Sequence, residues 1–143
     1  MRLGEILRTK GTEVVTIDPD RTVLEAVRTL VDHNIGALVV VEEGRPVGIL
    51  SERDVLRLTS RMPGRLEMTR VAEVMTRDVV YASEDTDVPS AMETMTMHRI
   101  RHLPLVRNQR LAGIVSIGDV VNALRSEFET ENQHLKRYIY RGG

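Results

Sequence analysis

Gly48-Ile49-Leu50-Ser51-Glu52-Arg53-Asp54 returns further along the chain as Gly113-Ile114-Val115-Ser116-Ile117-Gly118-Asp119. The spacing is 65 residues, and it holds without a gap when extended outward, so that residues 15–58 lie on residues 80–123. Fifteen of the 44 paired positions are identical, among them Asp20/Asp85, Ala26/Ala91, His33/His98, Leu38/Leu103 and Arg45/Arg110. Two copies of one unit predict a pseudo-two-fold body with a ligand cleft between its halves.

Each copy reads as β-α-β-β-α. In the first, Val14–Ile17 is a β-branched run typical of a strand, stopped by Asp18-Pro19-Asp20. Thr22, three residues before Glu25, is a capping-box signature. The apolar positions Val23, Ala26, Val27, Leu30 and Val31 then recur at helical spacing until Gly36 ends the segment. Ala37–Val41 is apolar throughout, as in a strand covered on both faces. Glu43-Gly44-Arg45 forms a hairpin turn into Val47–Leu50, and a second helix follows from Asp54.

The second copy repeats this order. Val79–Tyr81 is the strand, Asp87 the helix cap and Pro89 lies in the first turn, where its missing N–H costs little. Met92 and Met95 take the core positions of Val27 and Leu30, and Pro104 belongs at a strand start or edge. The expected division is residues 1–70 for the first unit, with 59–70 as connector around Pro63-Gly64, and 71–125 for the second. Residues 126–143 form a C-terminal helical extension. The last helix runs on into it, and the stripe of Leu124, Phe128, Leu135, Tyr138 and Ile139 docks on its own chain or, as the favoured expectation, on a second copy in a homodimer.

Bulk composition narrows the function. A chain of 143 residues suits one compact α/β (α+β) body. Net charge is −1 and only 3% of residues are aromatic, which speaks against nucleic-acid binding through phosphate neutralisation and stacking. Cysteine is absent, which excludes disulfides, thiolate catalysis and cysteine-held metals. No apolar stretch reaches the ~18 residues of a membrane span, and the N-terminus has no secretory core, so a soluble, cytoplasmic protein is expected.

The repeated Ser-x-x-Asp has two readings. At a strand-to-helix junction it is a helix N-cap with an acidic third residue, worth about 1 kcal/mol and needing no ligand. The same geometry also turns N–H groups, a hydroxyl and a carboxylate toward one point, where vicinal ribose hydroxyls can donate to the carboxylate. Both remain open from spacing alone.

The duplicated heptapeptide, the lead-in Val74-Met75-Thr76 and the run Ile100-Arg101-His102-Leu103-Pro104-Leu105-Val106 together resemble the cystathionine-β-synthase (CBS) domain, and in particular small stand-alone bacterial proteins made of one CBS pair. The resemblance covers residues 3–125. It implies a sensor of adenosine ligands, with AMP foremost and ADP, ATP, NADH and S-adenosylmethionine as alternatives, that associates into disc-like dimers and acts on a downstream protein. It also implies that each cleft joins the Ser-x-x-Asp of one unit to the first strand and pre-strand dipeptide of the other. One site would then hold Ser51 and Asp54, with Val80, Tyr81 and Ala82 at the adenine, Arg101 and His102 at the phosphate, and Arg53 as a further phosphate contact. The other would hold Ser116 and Asp119 with Val15, Thr16, Ile17, Gly36 and Ala37. Because Gly36-Ala37 carries no charge where the first site has Arg101-His102, the Asp54 site is expected to prefer phosphorylated ligands.

His33 and His98 sit at helix C-terminal ends, where the dipole favours a cation, and no spacing suggests a metal site. His134 reads as solvated and Met92, Met95 and Met97 as core and helix surface. No Walker loop, Gly-rich dinucleotide turn or nucleophile–base set appears, so the expected role is regulatory rather than catalytic. The contrasting expectation is a ligand-independent interaction module.

Overall fold

The computed structural model describes the backbone of residues 1–142 and the side chains of residues 1–133 and Leu135. The elements are α1 (Leu3–Lys10), β1 (Thr16–Ile17), α2 (Val23–His33), β2 (Ala37–Glu42), β3 (Arg45–Ser51), α3 (Glu52–Arg61), α4 (Val71–Val74), α5 (Val88–His98), β4 (His102–Arg107), β5 (Arg110–Ser116) and α6 (Ile117–Gly142). They form an α+β fold with a three-stranded sheet, β1-β2-β3, and a two-stranded sheet, β4-β5. By contacts the chain divides into two units that do not follow chain order. One comprises Glu13–Tyr81 and Val106–Ala112; the other comprises Met1–Thr12, Ala82–Leu105 and Gly113–Gly143. We call them the first-repeat and second-repeat units.

In the first-repeat unit, β1 runs parallel to β2, with Thr16 opposite Val39 and Ile17 opposite Val40. β2 and β3 are antiparallel, with Ala37 opposite Ser51 and a bulge at Val40/Val41. Glu43 and Gly44 both take positive φ, 51° and 80°, the backbone a two-residue hairpin requires. The core joins Ile17, Leu38, Val40 and Leu50 of the sheet to Ala26 and Leu30 of α2 and to Val71 and Met75. Gly48 is needed for close approach: a Cβ there would stand 2.7 Å from Met75 Sδ and 2.9 Å from the Thr76 carbonyl oxygen. The connector also caps α2, since Val23 N–H donates to Thr69 O at 2.8 Å and Leu24 N–H to Leu66 O at 3.0 Å.

In the second-repeat unit, α1 brings Leu7 over Gly113, where a Cβ would lie 2.7 Å from a Leu7 methyl. Among the described residues, Leu3, Leu7, Val88, Ala91, Met95, Leu103, Leu105, Val115, Val120 and Ala123 are its buried apolar residues.

Several local expectations need correction. Val79–Tyr81 forms no strand; only Ala82 bridges to Leu105, through Ala82 N–H to Pro104 O at 3.0 Å. The repeat sets Pro104 against Val39, and a proline has no N–H to give a parallel ladder. Helix α2 ends not at Gly36 but at Asn34, which takes the left-handed conformation at φ 51°, as Arg99 does after α5 at φ 54°. Thr22 caps α2 in one direction only, accepting from Glu25 N–H, while Glu25 pairs with Arg21. Helices α1 and α4 lie outside the repeat and carried no sequence expectation. Of the C-terminal stripe, the side chains of Tyr138 and Ile139, like that of His134, lie outside the described residues.

Candidate functional site

Both Ser-x-x-Asp motifs are built as full capping boxes. At α3, Ser51 N–H donates to Asp54 Oδ2 at 2.9 Å, the Ser51 hydroxyl to the same oxygen at 3.2 Å, and Asp54 N–H to Ser51 Oγ at 3.4 Å. Thr76 Oγ1 donates to Asp54 Oδ1 at 3.4 Å, and Arg57 stands 3.7 Å from that oxygen. At α6, Ser116 N–H donates to Asp119 Oδ2 at 2.8 Å and Asp119 N–H to Ser116 Oγ at 3.1 Å.

The two boxes differ in surroundings. The Asp54 side chain is 7% exposed, whereas that of Asp119 is 26% exposed and carries an ion pair with Lys10 at 2.6 Å. Lys10 Nζ also donates to Ile114 O at 2.9 Å. Sequence reading missed Lys10 because it precedes the repeat. Carried upstream, the 65-residue offset sets it against Met75, a contrast of charge with thioether that was open to inspection.

The other expected residues fall as follows. Gly36 and Ala37 lie at the α3 start of their own unit: Gly36 O accepts from Glu52 N–H at 3.0 Å, and Ala37 is opposite Ser51. Arg101 occupies the corresponding place at α6, its carbonyl accepting from Ile117 N–H at 2.8 Å, and His102 opens β4 beside it. The pre-strand dipeptide is thus joined to the Ser-x-x-Asp of its own unit, because β2 leads antiparallel into β3 and the hairpin returns to its origin. Arg53 is exposed on the first turn of α3. Val15, Val80, Tyr81 and Ala82 are half-buried. Burial pushes the Tyr81 phenol above its ordinary value. Thr16 and Ile17 line an open groove of about 500 Å³ with Asp18, Arg21, Glu25 and Thr29. Among the described residues no cluster of His, Asp and Glu has the form of a metal site.

Burial of Asp119 works against its ionisation, but the Lys10 hydrogen bond and charge and the Ser116 donors outweigh it and hold the carboxyl below its usual 3.8. Asp87, which caps α5 through Ser90 N–H at 2.7 Å, is lowered by those Ser90 hydrogen bonds. A carboxyl lowered in the folded state stabilises the fold above its unfolded pKa, and the contribution is lost as pH falls through the folded value. Urea melts from about pH 5 down to pH 2 should therefore show stability falling, with a shallower fall in Asp119→Asn.

A family model for the CBS domain matches residues 3–61 and again 71–126. The chain belongs to the CBS domain family. The CBS domain-containing protein CBSX3, mitochondrial, of Arabidopsis thaliana is 36% identical over 98% of this chain and 72% of its own length. Among solved CBS structures, the CBS-domain containing protein ATU1752 from Agrobacterium tumefaciens superposes with a TM-score of 0.83 at 40% identity, covering 86% of this chain and 98% of that one. The CBS domain pair of protein MJ0100, crystallised with 5′-methylthioadenosine and S-adenosyl-L-methionine, gives 0.79 at 27% identity over 89% and 98%. The CBS domain protein PAE2072 from Pyrobaculum aerophilum, complexed with AMP, gives 0.75 at 28% identity over 83% and 89%. The chain thus carries a pair of CBS domains, and no helix among its described residues is long and apolar enough to cross a membrane.

Proposed function

We propose that this CBS pair is a regulatory sensor of an adenosine ligand, AMP foremost, with ADP, ATP, NADH and S-adenosylmethionine as alternatives. The observation that carries the reading is the capping box built twice, at Ser51/Asp54 and Ser116/Asp119, in a fold shared with CBS pairs crystallised with AMP and with methylthioadenosine and S-adenosylmethionine. In this reading each Asp accepts the ribose hydroxyls, and Ser51, Arg53, Ser116, Arg101 and His102 serve phosphate or sugar oxygens. The Val15–Ile17 and Val80–Ala82 segments serve the adenine. The chain performs no catalysis; it passes the ligand signal to a downstream protein, in the cytoplasm. Signalling requires that the ligand bind two states with different affinity, since equal affinity shifts no population.

A thermal-shift screen of the intact chain against the five compounds, each at millimolar concentration, tests the reading. A rise in melting temperature selective for one of them is the expected result. No response to any would favour the ligand-independent interaction module, a reading supported by the buried Asp54 carboxylate, whose oxygens are already bonded by Ser51 and Thr76.

The homodimer is part of the proposal. Val121, Phe128 and Leu135 are exposed on α6 and recur every seven residues, the period at which identical helices pair. Phe128→Glu is expected to shift sedimentation equilibrium from a dimeric to a monomeric mass. A dimer that survives this change would place the interface elsewhere.

A further inference from the structure

Asp54 and Asp119 hold the same place in the repeat but offer different chemistry. Around Asp54, Oδ2 accepts from two Ser51 donors and Oδ1 from Thr76, with the Arg57 guanidinium paired to Oδ1 at 3.7 Å. Around Asp119, Oδ2 takes Lys10 Nζ and Ser116 N–H, and among the described residues no threonine or arginine stands at Oδ1 as Thr76 and Arg57 do at Asp54. Oδ1 is therefore the less occupied oxygen, and a carboxylate oxygen offers the two lone pairs that a ribose diol requires.

Lys10 is equally incomplete. An ammonium has three donors, and two are used, on Asp119 Oδ2 and Ile114 O. Its side chain is 35% exposed, which leaves the third reachable. Its position is set from below, because Leu7, one turn back on α1, packs over Gly113. The α6 start is also open: a Cβ on Gly118 would meet only Ser116 Oγ, at 3.6 Å. At Asp54 the position of Gly118 is held by Arg53 and that of Lys10 by Met75. A lysine in the last turn of α1 also complements the helix dipole, but that requires neither the Asp119 pairing nor the second bond to Ile114.

We propose that Lys10 is the residue that selects an anionic ligand at the α6 start, so that Asp119 Oδ1 takes the ribose hydroxyls of a phosphorylated adenosine while the third Lys10 N–H takes its phosphate. This rests on the adenosine-sensor reading and reverses the expectation that the phosphate-selective end is the one at Asp54. Lys10 adds to Arg101 and His102, which the hairpin has already brought to α6. A neutral nucleoside gains nothing from the ammonium.

Calorimetric titration of the intact chain with AMP and with adenosine provides the test, using Lys10→Met, Lys10→Gln and Lys10→Arg. Met copies the residue at the equivalent position 75, and an unliganded melting curve checks that each variant folds. The wild type should prefer AMP by about 10- to 100-fold, the worth of one charge-assisted hydrogen bond. Lys10→Met and Lys10→Gln should cut the AMP-to-adenosine ratio by about 10-fold or more while adenosine affinity is kept, and Lys10→Arg should retain the preference. An undiminished preference for AMP in both uncharged variants would overturn the assignment of Lys10 alone. A wild type that binds neither compound, nor ADP, ATP, NADH or S-adenosylmethionine in the same titration, would overturn the sensor reading on which it rests.

Discussion

Leu50→Ala is expected to lower the melting temperature by about 10 °C. Leu50 is fully buried on β3, packed among Ile17, Leu30, Leu38, Val40 and Met75. Truncation removes its transfer free energy and leaves a cavity, at a cost of roughly 3 kcal/mol within a range of 2–5. A chain of this size has an unfolding entropy of about 0.3 kcal/mol per degree, which converts that cost into about 10 °C. Leu50 also directly precedes the Ser51 cap, so its loss loosens the strand end that positions Asp54. Leu56→Ala is the internal contrast. Leu56 is 68% exposed, and its truncation should change stability by no more than about 0.5 kcal/mol. A scanning calorimetry trace of the two variants checks both values.

Asp119→Ala should nearly abolish stabilisation by AMP. At a ligand concentration about 100 times the dissociation constant, the wild type gains about 2.7 kcal/mol, or about 9 °C. Losing two charge-assisted hydrogen bonds to the ribose weakens binding by roughly a hundredfold or more. The same concentration then only matches the dissociation constant, and the gain falls to about 0.4 kcal/mol, near 1 °C. Asp119→Ala also removes a cap and the Lys10 ion pair, which lowers the unliganded melting point. Asp87→Ala controls for this, because Asp87 caps α5 in the same manner but has no place in the ligand reading. Its baseline should fall by about 1 kcal/mol with the AMP response kept. An AMP response of full size in Asp119→Ala would remove Asp119 from the site.

The parts of this fold legible in the sequence are those written locally. Ser51, Ser116 and Asp87 cap their helices, and Glu43-Gly44 turns its hairpin, because those side chains and backbone angles act within three residues of themselves. The CBS family itself was legible because the local signals occur twice in register. What was hidden depends on distant partners. The strand expected at Val79–Tyr81 does not form, since its outcome rests on Pro104, more than twenty residues away. Gly36 suggested a helix end, but Asn34 reaches the left-handed region two residues earlier, as a short amide side chain tolerates. Helix α1 carries a modest pattern of Leu3 and Leu7, and its grouping with residues 82–105 rather than with the repeat that follows it has no local signature.

The candidate site divides in the same way. The Ser-x-x-Asp pairs could be read from spacing, together with their capping role. The unequal bonding of the two carboxylates was harder to read, because it depends on Lys10 and Thr76, which lie outside the 44 aligned pairs. The difference between Arg101-His102 and Gly36-Ala37 was visible as a charge difference. Which helix start receives it follows from the antiparallel return of each hairpin, which sets the dipeptide beside the Ser-x-x-Asp of its own unit.

The most direct test of the central claim is a calorimetric titration of AMP into the purified, intact chain. The account predicts saturable binding with at least one site per chain and a matching rise in melting temperature. Absence of binding heat, together with a melting temperature that AMP leaves unchanged, would contradict it.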